Sequence, residues 1–346
     1  MKILYAVQGT GNGHLARARE ILPILQQATE VDILISGSNS EITLPFPVKY
    51  RSQGLSIFYD KTGGISLTKT FRNLHSRAIM REMRDLPVEN YDLVINDFEP
   101  ISSYASILKG IPCVGFGHQA SFLSKKTPRP KNQSYVGEFI LKHYAPCYYA
   151  LGLHFDEFDD FICKPVIRRE IRELEISELA HFTVYLGHYS DDLVIRQLRK
   201  LKDAQWHLFS KTAKTVMTER NVTVYPINSE RFVKSLASSR GLLTGAGFES
   251  PAEAIFMGKK VLAIPIKGQY EQECNAKALQ NMGVTVVKKI GKRFPEKLKF
   301  WVEEAKPLQI SYPDQTEALV ARVLGLHELK RCNIKPKKLF STLLSL

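Results

Sequence analysis

Gly9-Thr10-Gly11-Asn12-Gly13-His14 follows an apolar run, Ile3 to Val7, and leads into a helical pattern, Leu15-Ala16-Arg17-Ala18-Arg19-Glu20. Glycines at 9, 11 and 13 let a ligand or a facing loop approach the backbone closely, and a helix start presents free N–H donors to an anion. The sixth position of a G-x-G-x-x-G fingerprint is His14 rather than glycine, and Asp32 falls too early in the next apolar run to hold a ribose. The Gly-Lys-Ser/Thr ending of a phosphate loop is absent. A nicotinamide enzyme is thereby disfavoured and a P-loop excluded. His14 stands at the carboxyl end of the first predicted strand, where it reads as a general base or, taken alone, as a cap. Asn96-Asp97-Phe98-Glu99-Pro100 ends another predicted strand at the same sheet edge, so Asp97 can hold the ring N–H of His14 and raise its basicity. His118, in Gly115-Phe116-Gly117-His118-Gln119, follows a third strand and reads either as a pocket-lining group or as a structural one.

A second constellation lies in the other half. Leu243-Thr244-Gly245-Ala246-Gly247-Phe248-Glu249-Ser250-Pro251 is a strand, a glycine turn and a helix start, an arrangement that offers backbone N–H groups and a helix dipole to a diphosphate. Glu253 falls in the first turns of that helix, where a carboxylate can accept from two vicinal ribose hydroxyls or simply favour the dipole. Glu271 and Gln272 follow a further strand that ends at Pro265, and their adjacent acceptor and donor groups suit sugar hydroxyls.

The elements that must position these residues come from the apolar rhythm. Ile3–Val7, Val31–Ile35, Tyr91–Ile95 and Ile111–Phe116 read as buried strands separated by segments long enough for crossover helices. The rhythm restarts with Phe182–Leu186, Trp206–Phe209, Val222–Tyr225, Gly241–Leu243 and Val261–Ile264. The expected architecture is α/β, two Rossmann-like doubly wound domains facing a cleft. The expected boundaries are 1–160 for the first domain, 161–180 for a charge-dense linker, 181–325 for the second domain, and 326–346 for a basic tail or helix.

The 346 residues, 44% apolar and 24% charged, form a chain with a sizeable core and exclude long disorder. Lysine and arginine number 48 against 35 acidic residues, and the net charge of +13 favours a polyanionic ligand, an anionic membrane surface or nucleic acid. No zinc finger, RNP-like strand or basic recognition helix supports the last, so nucleic acid is not expected as a partner. Five widely spaced cysteines without a C-x-x-C pair fit a reducing cytoplasm. No signal peptide and no spanning segment are read, which leaves the sequons at Asn132 and Asn221 without meaning.

Gly245 through Ala276, with Glu253, Gly258, Pro265, Glu271, Gln272 and Asn275 at their relative positions, resembles the donor signature of nucleotide-sugar glycosyltransferases of the GT-B fold. Within that fold the chain is similar to the UDP-glycosyltransferase superfamily, and to its bacterial branch that includes the N-acetylglucosaminyltransferase of peptidoglycan synthesis. The resemblance runs from about Lys2 to Val287. It implies His14 as base, Asp97 as its orienting carboxylate, and Gly13 on the acceptor side, where the position of His118 after its strand would also put that ring. It implies Gly245, Ala246, Gly247 and Phe248 at the diphosphate, Glu253 at the ribose, and Glu271 with Gln272 at the transferred sugar. Gly187-His188-Tyr189-Ser190 looks like the other phosphate-facing loop, with Gly187 and Ser190 as its contacts. Two departures stand out: Lys260 replaces a usual proline, and Glu271 stands where plant members carry aspartate.

The implied reaction is an inverting, metal-independent transfer of a sugar from a nucleotide-sugar, with UDP the family expectation, to an acceptor hydroxyl. No cofactor is implied, because the nucleotide-sugar is a substrate. Asp159-Asp160 and Asp191-Asp192 are adjacent pairs in exposed segments and read as solvated charge rather than a metal site. The run Lys125-Lys126-Thr127-Pro128-Arg129-Pro130-Lys131 fits a phosphorylated or lipid-anchored acceptor, which would make the enzyme peripheral at the inner face of the membrane, or a plain solvated loop. A hydrolysing 2-epimerase of the same fold and a non-enzymatic binder of anionic surfaces are the alternatives.

Overall fold

The computed structural model describes residues 1–9, 12–37, 44–53, 77–326 and 329–334. Thr10 and Gly11 of the first glycine turn, and the run from Lys335 to Leu346 that makes up most of the expected basic tail, lie outside the described residues. The chain divides into two compact units, one of Met1–Thr127, Asn132–Arg168 and Pro313–Leu346, the other of Pro128–Lys131 and Arg169–Tyr312.

In the first unit the strands are β1 (Lys2–Gln8), β2 (Glu30–Ser36), β3 (Tyr50–Ser52), β4 (Leu93–Asp97), β5 (Cys113–Gly117), β6 (Tyr149–Leu153) and β7 (Ile162–Cys163). A final strand, β15 (Lys330–Arg331), joins the edge, and the order is β15-β6-β5-β4-β1-β2-β3 with β7 also on β6. Every pairing is parallel except β15 on β6. Parallel strands need crossovers, and the helices supply them: α1 (Asn12–Ala28), α2 (Arg77–Asp85), α3 (Pro100–Lys109) and α4 (Tyr135–His143). Helix α1 forms because Leu15, Ala18, Ile21, Leu22 and Leu25 make one apolar stripe, all of it buried. Helix α3 has sharp ends: the Glu99 carboxylate accepts from the N–H groups of Ile101 (2.8 Å) and Ser102 (2.6 Å), and Gly110 closes it at φ 69°.

The second unit holds α5 (Arg169–Arg172) and the strands β8 (His181–Tyr185), β9 (Gln205–Ser210), β10 (Met217–Glu219), β11 (Val222–Pro226), β12 (Gly241–Gly245), β13 (Lys260–Ile264) and β14 (Thr285–Val286). Their order is β10-β11-β9-β8-β12-β13-β14, all parallel but the β10–β11 pair. The helices are α6 (Asp191–Leu198), α7 (Ser229–Ala237), α8 (Glu249–Phe256), α9 (Tyr270–Asn281) and α10 (Phe294–Glu303). Phe182, Trp206 and Trp301 anchor the core, with ring centroids 5.2 and 5.0 Å from Phe182. Lys260 opens β13, at the sheet edge opposite the strands' carboxyl ends, and its Nζ donates to Val302 O at 2.6 Å.

The division at Arg168 falls inside the 161–180 stretch expected as a linker, and parts of that stretch are structured: β7 belongs to the first unit and α5 to the second. The largest difference from expectation is at the other end. Helix α11 (Thr316–Gly325) was expected in the second domain, yet it packs on α1 in the first unit, and β15 then adds to β6. Arg322 holds this return, donating to Asp160 O at 3.0 Å. No helix among the described residues is long and apolar enough to cross a membrane.

Candidate active site

Each sheet has one place where neighbouring strands send their crossovers in opposite directions, leaving a crevice at their carboxyl ends. In the first unit this lies between β1 and β4, because β1 is flanked by β2 on one side and β4 on the other. His14 comes from the first turn of α1 after β1, and Asp97 is the last residue of β4. The structure brings them together: His14 Nδ1 is 2.8 Å from Asp97 Oδ1, with the imidazole 13% exposed and the carboxylate fully buried. An Nδ1–H donated to Asp97 leaves the Nε2 lone pair of His14 for an incoming proton. Asp97 is fixed from behind. Phe98 follows at φ 55°, a left-handed conformation rare outside glycine, and the Asn96 amide donates to Glu99 O at 2.5 Å and to Ser102 Oγ at 2.9 Å, locking the turn.

Sequence reasoning missed Arg17, placed on the same face of α1 one turn beyond His14. It is buried, and its Nη2 donates to both Asp97 oxygens at 2.8 Å while Nε donates to Oδ2 at 3.1 Å. Burial pushes the Asp97 carboxyl up, but Arg17 and then His14, through charge and hydrogen bonds, outweigh it and hold the group below the usual carboxylate range. Gly117 faces this cluster: a Cβ there would lie 2.7 Å from Asp97 Oδ1 and 3.2 Å from Arg17 Nη2. Gly13, also expected on the acceptor side, is half-buried in the first turn of α1 beside His14.

His118, which the sequence left open between a pocket-lining and a structural role, is 1% exposed, its Nδ1 is 2.9 Å from Leu153 O, and its ring meets Phe122 and His154 edge-on at centroid distances of 5.1 and 4.8 Å, surroundings that fit the structural role. The basic loop after β5 is also partly spent internally, since Lys126 Nζ pairs with Asp159 at 2.7 Å.

In the second unit the crevice lies between β8 and β12, with β9 on the other side of β8. Register pairs Thr244 with Tyr185, so the turn Gly245–Phe248 and the loop Gly187–Ser190 leave the sheet side by side. Three helices start at this edge, and none of their caps, Ser190 for α6, Phe248 for α8 and Gln269 for α9, makes a side-chain capping bond. By contrast, α7 is capped by Asn228, which accepts from Arg231 N at 2.8 Å. Uncapped first turns keep N–H donors for an anion. Gly187 and Ser190 are exposed, Ala246 and Phe248 are buried, and Gly245 and Gly247 lie between. A Cβ on Gly245 would stand 3.5 Å from Gln272 Oε1, which places Gln272 against the turn, and that oxygen accepts from Ile266 N at 3.1 Å. Glu271 is half-buried in the first turn of α9, and Glu253 is 4% exposed in α8. Lys211, at the end of β9, is a neighbour that sequence reasoning did not include: its Cε lies 3.2 Å from the position of a Cβ on Gly187. A cation one residue past a strand end was the available signal. Asp191 is engaged, accepting from Ser210 Oγ at 2.5 Å and Thr212 Oγ1 at 2.7 Å. Among the described residues no three His, Cys, Asp or Glu side chains cluster as metal ligands do.

Comparison with known proteins gives the architecture a family. Among solved structures, Acinetobacter baumannii MurG is similar at a TM-score of 0.58 and 13% identity, over 94% of this chain and 99% of that one. Arabidopsis thaliana UGT89C1 complexed with UDP-L-rhamnose is similar at 0.58 and 14%, over 94% of each chain. Glycosyltransferase VinC in complex with DTDP is similar at 0.53 and 14%, over 100% of this chain and 99% of that one. These likenesses place the two Rossmann-like units in the GT-B fold. No curated protein matches the sequence. The model for glycosyl transferase family 1 matches residues 1–303, most of the chain, and the protein is therefore a glycosyltransferase that belongs to that family.

Proposed function

We propose that the protein transfers a sugar from a nucleotide-sugar, a UDP-sugar by preference, to an acceptor hydroxyl in a single inverting displacement. The observation that carries this reading is the 2.8 Å contact between His14 Nδ1 and buried Asp97 at the β1–β4 crevice. His14 Nε2 takes the acceptor proton as the acceptor oxygen attacks the anomeric carbon. The C–O bond to the nucleotide breaks with its electron pair on the diphosphate. N–H groups of the turn after β12 and of the uncapped helix starts meet that charge, which is electrostatic stabilisation without a resident metal. Glu253 serves the ribose, and Glu271 with Gln272 the transferred sugar. The ligands bound in the UGT89C1 and VinC structures, UDP-L-rhamnose and DTDP, support a nucleotide-diphosphate site and set the panel to be tried.

For the acceptor we propose a phosphorylated or lipid-linked envelope precursor. The net charge of +13 and the resemblance to the peptidoglycan branch support it. Co-sedimentation with anionic vesicles at low salt, lost at high salt, is the expected behaviour.

The test of the reaction is a titration with UDP, GDP, ADP and DTDP, with and without magnesium, followed by thermal stability, and then donor turnover with His14→Ala. The expected result is a metal-independent shift selective for one nucleotide. His14→Ala should cut transfer by a factor of about 100 or more while nucleotide affinity stays within about threefold. Transfer by His14→Ala at the wild-type rate overturns His14 as base.

A further inference from the structure

Arg17 sits beside the dyad, and the transfer reaction as written gives it no part. Its side chain is 2% exposed, its guanidinium holds both oxygens of Asp97, and its Nη2 stands 3.2 Å from His14 Nδ1. Without it, Asp97 and a neutral His14 would together bury one uncompensated negative charge. Such a charge is strongly disfavoured away from water, and the pair would relieve it by taking a proton from water. The proton would rest as a neutral acid on Asp97 or as an imidazolium on His14, and an imidazolium can accept nothing from an acceptor hydroxyl. We propose that Arg17 is a positioning residue whose guanidinium supplies the permanent counter-charge for Asp97, so that the His14–Asp97 pair is proton-free and competent before the acceptor arrives.

The idea deepens the reading of His14 as base and rests on it. The other groups facing the pair from packed elements agree with this. Tyr5 of β1 is fully buried, its hydroxyl has no hydrogen-bond partner among the described residues, and burial and then the Asp97 charge push its phenol up, so it stays neutral. The residue at the end of β5 is Gly117, which brings no side chain and leaves room for the guanidinium.

The proton count can be read directly, on the full chain and without any sugar substrate. Ring-nitrogen NMR of isotopically labelled histidine, with His14 assigned among the nine histidines through His14→Gln, follows the pair through pH. In Arg17→Met and Arg17→Gln the apparent midpoint of the pair should rise by about one pH unit or more over the wild type. Arg17→Lys, which restores the charge, should return it to within about half a unit. An unmoved or lowered midpoint in either neutral variant, with the fold verified by thermal unfolding, overturns the proposal. If neither neutral variant folds, Arg17→Lys decides alone, because a midpoint displaced by about one unit despite the retained charge overturns it equally. A wild-type titration that behaves as expected in a protein with no transferase activity would count against the proposed reaction and leave the role of Arg17 standing.

Discussion

At the β1–β4 crevice a carboxylate with no solvent contact is held by three polar atoms of two helical residues, His14 Nδ1 with Arg17 Nε and Nη2, and space around it is as constrained as charge. Gly117 shows this. A Cβ at that position would be 2.7 Å from Asp97 Oδ1, which hydrogen bonds from His14 Nδ1 and Arg17 Nη2 hold in place, so the oxygen cannot step aside cheaply. Gly117→Ala should therefore destabilise the protein by about 1–3 kcal/mol, read from urea unfolding, and should lower turnover more than nucleotide affinity. Equal stability and activity in the alanine variant would mean that the cluster is looser than its distances indicate. His14 and Asp97 were legible from the sequence because each stands at the end of an apolar run, where an open sheet exposes its chemistry. Arg17 was not, since an arginine within Leu15-Ala16-Arg17-Ala18-Arg19-Glu20 reads as a solvated charge, and only the packing of α1 on its sheet reveals which of its two arginines is buried. His118 shows why a strand end alone leaves two readings open: it too follows a strand, but Phe122 and His154 close over it.

Among elements, the turn after β12 separates ligand binding from folding. Gly247 has nothing within 4 Å of a would-be Cβ, so a methyl group there meets open space. If the turn's amides face a diphosphate, that same methyl stands in the ligand's path. Gly247→Ala is expected to leave the melting temperature unchanged within about 1 °C and to weaken UDP binding about tenfold, measured by calorimetry. Unchanged affinity would move the diphosphate away from this turn. At the other end of the sheet, β8 and β9 carry two stacked histidines, His181 buried and His207 half-buried, with ring centroids 3.9 Å apart. Burial, and then the charge of His181, push His207 down to about 4 from 6.5. Between those values the unfolded chain binds a proton that the native protein refuses, so stability should fall as pH drops from 6.5 toward 4 and level off below. His207→Gln, which retains a polar group near Ser235, should flatten that slope in a series of melts across the window. The strands that carry the site were readable to within a few residues: Ile3–Val7 is β1 and Gly241–Leu243 lies in β12, because buried parallel strands are continuous apolar runs. Tyr149–Leu153 escaped, as its alternation of small and large residues, Ala150 and Gly152 among them, gives no such run, and Gly152 is there because Ser121 Cα would be 2.7 Å from a Cβ.

At the scale of the whole molecule the chain leaves the first unit at Arg168 and re-enters it at Pro313. Two domains were evident from the restart of the strand rhythm, but the return was not, because α11 is an ordinary amphipathic helix and nothing in its pattern names the unit on which it packs. Its buried Leu319, Val320 and Val323 are covered in the first unit, where α11 lies on α1, the helix that carries His14 and Arg17. Arg322 adds a bond to Asp160 O, Gln315 Nε2 one to Lys164 O at 3.3 Å, and Cys332 N one to Tyr148 O at 2.7 Å. Burial of three such side chains contributes about 5 kcal/mol, of the same order as the stability of an entire domain. A chain that stops after Tyr312 should accordingly lose protection unequally. In amide hydrogen exchange, β1, β4 and β5 should exchange far faster than in the full chain, whereas β8, β12 and β13 should keep their protection, because the core around Trp206 and Trp301 draws nothing from the described residues beyond Tyr312. Nucleotide binding should survive this truncation and transfer should not, since the turn after β12 stays supported while the helix under His14 does not. Uniform loss of protection over both sheets would mean that the two units unfold as one, and retained protection in β1 and β4 would mean that α11 is a passenger on α1.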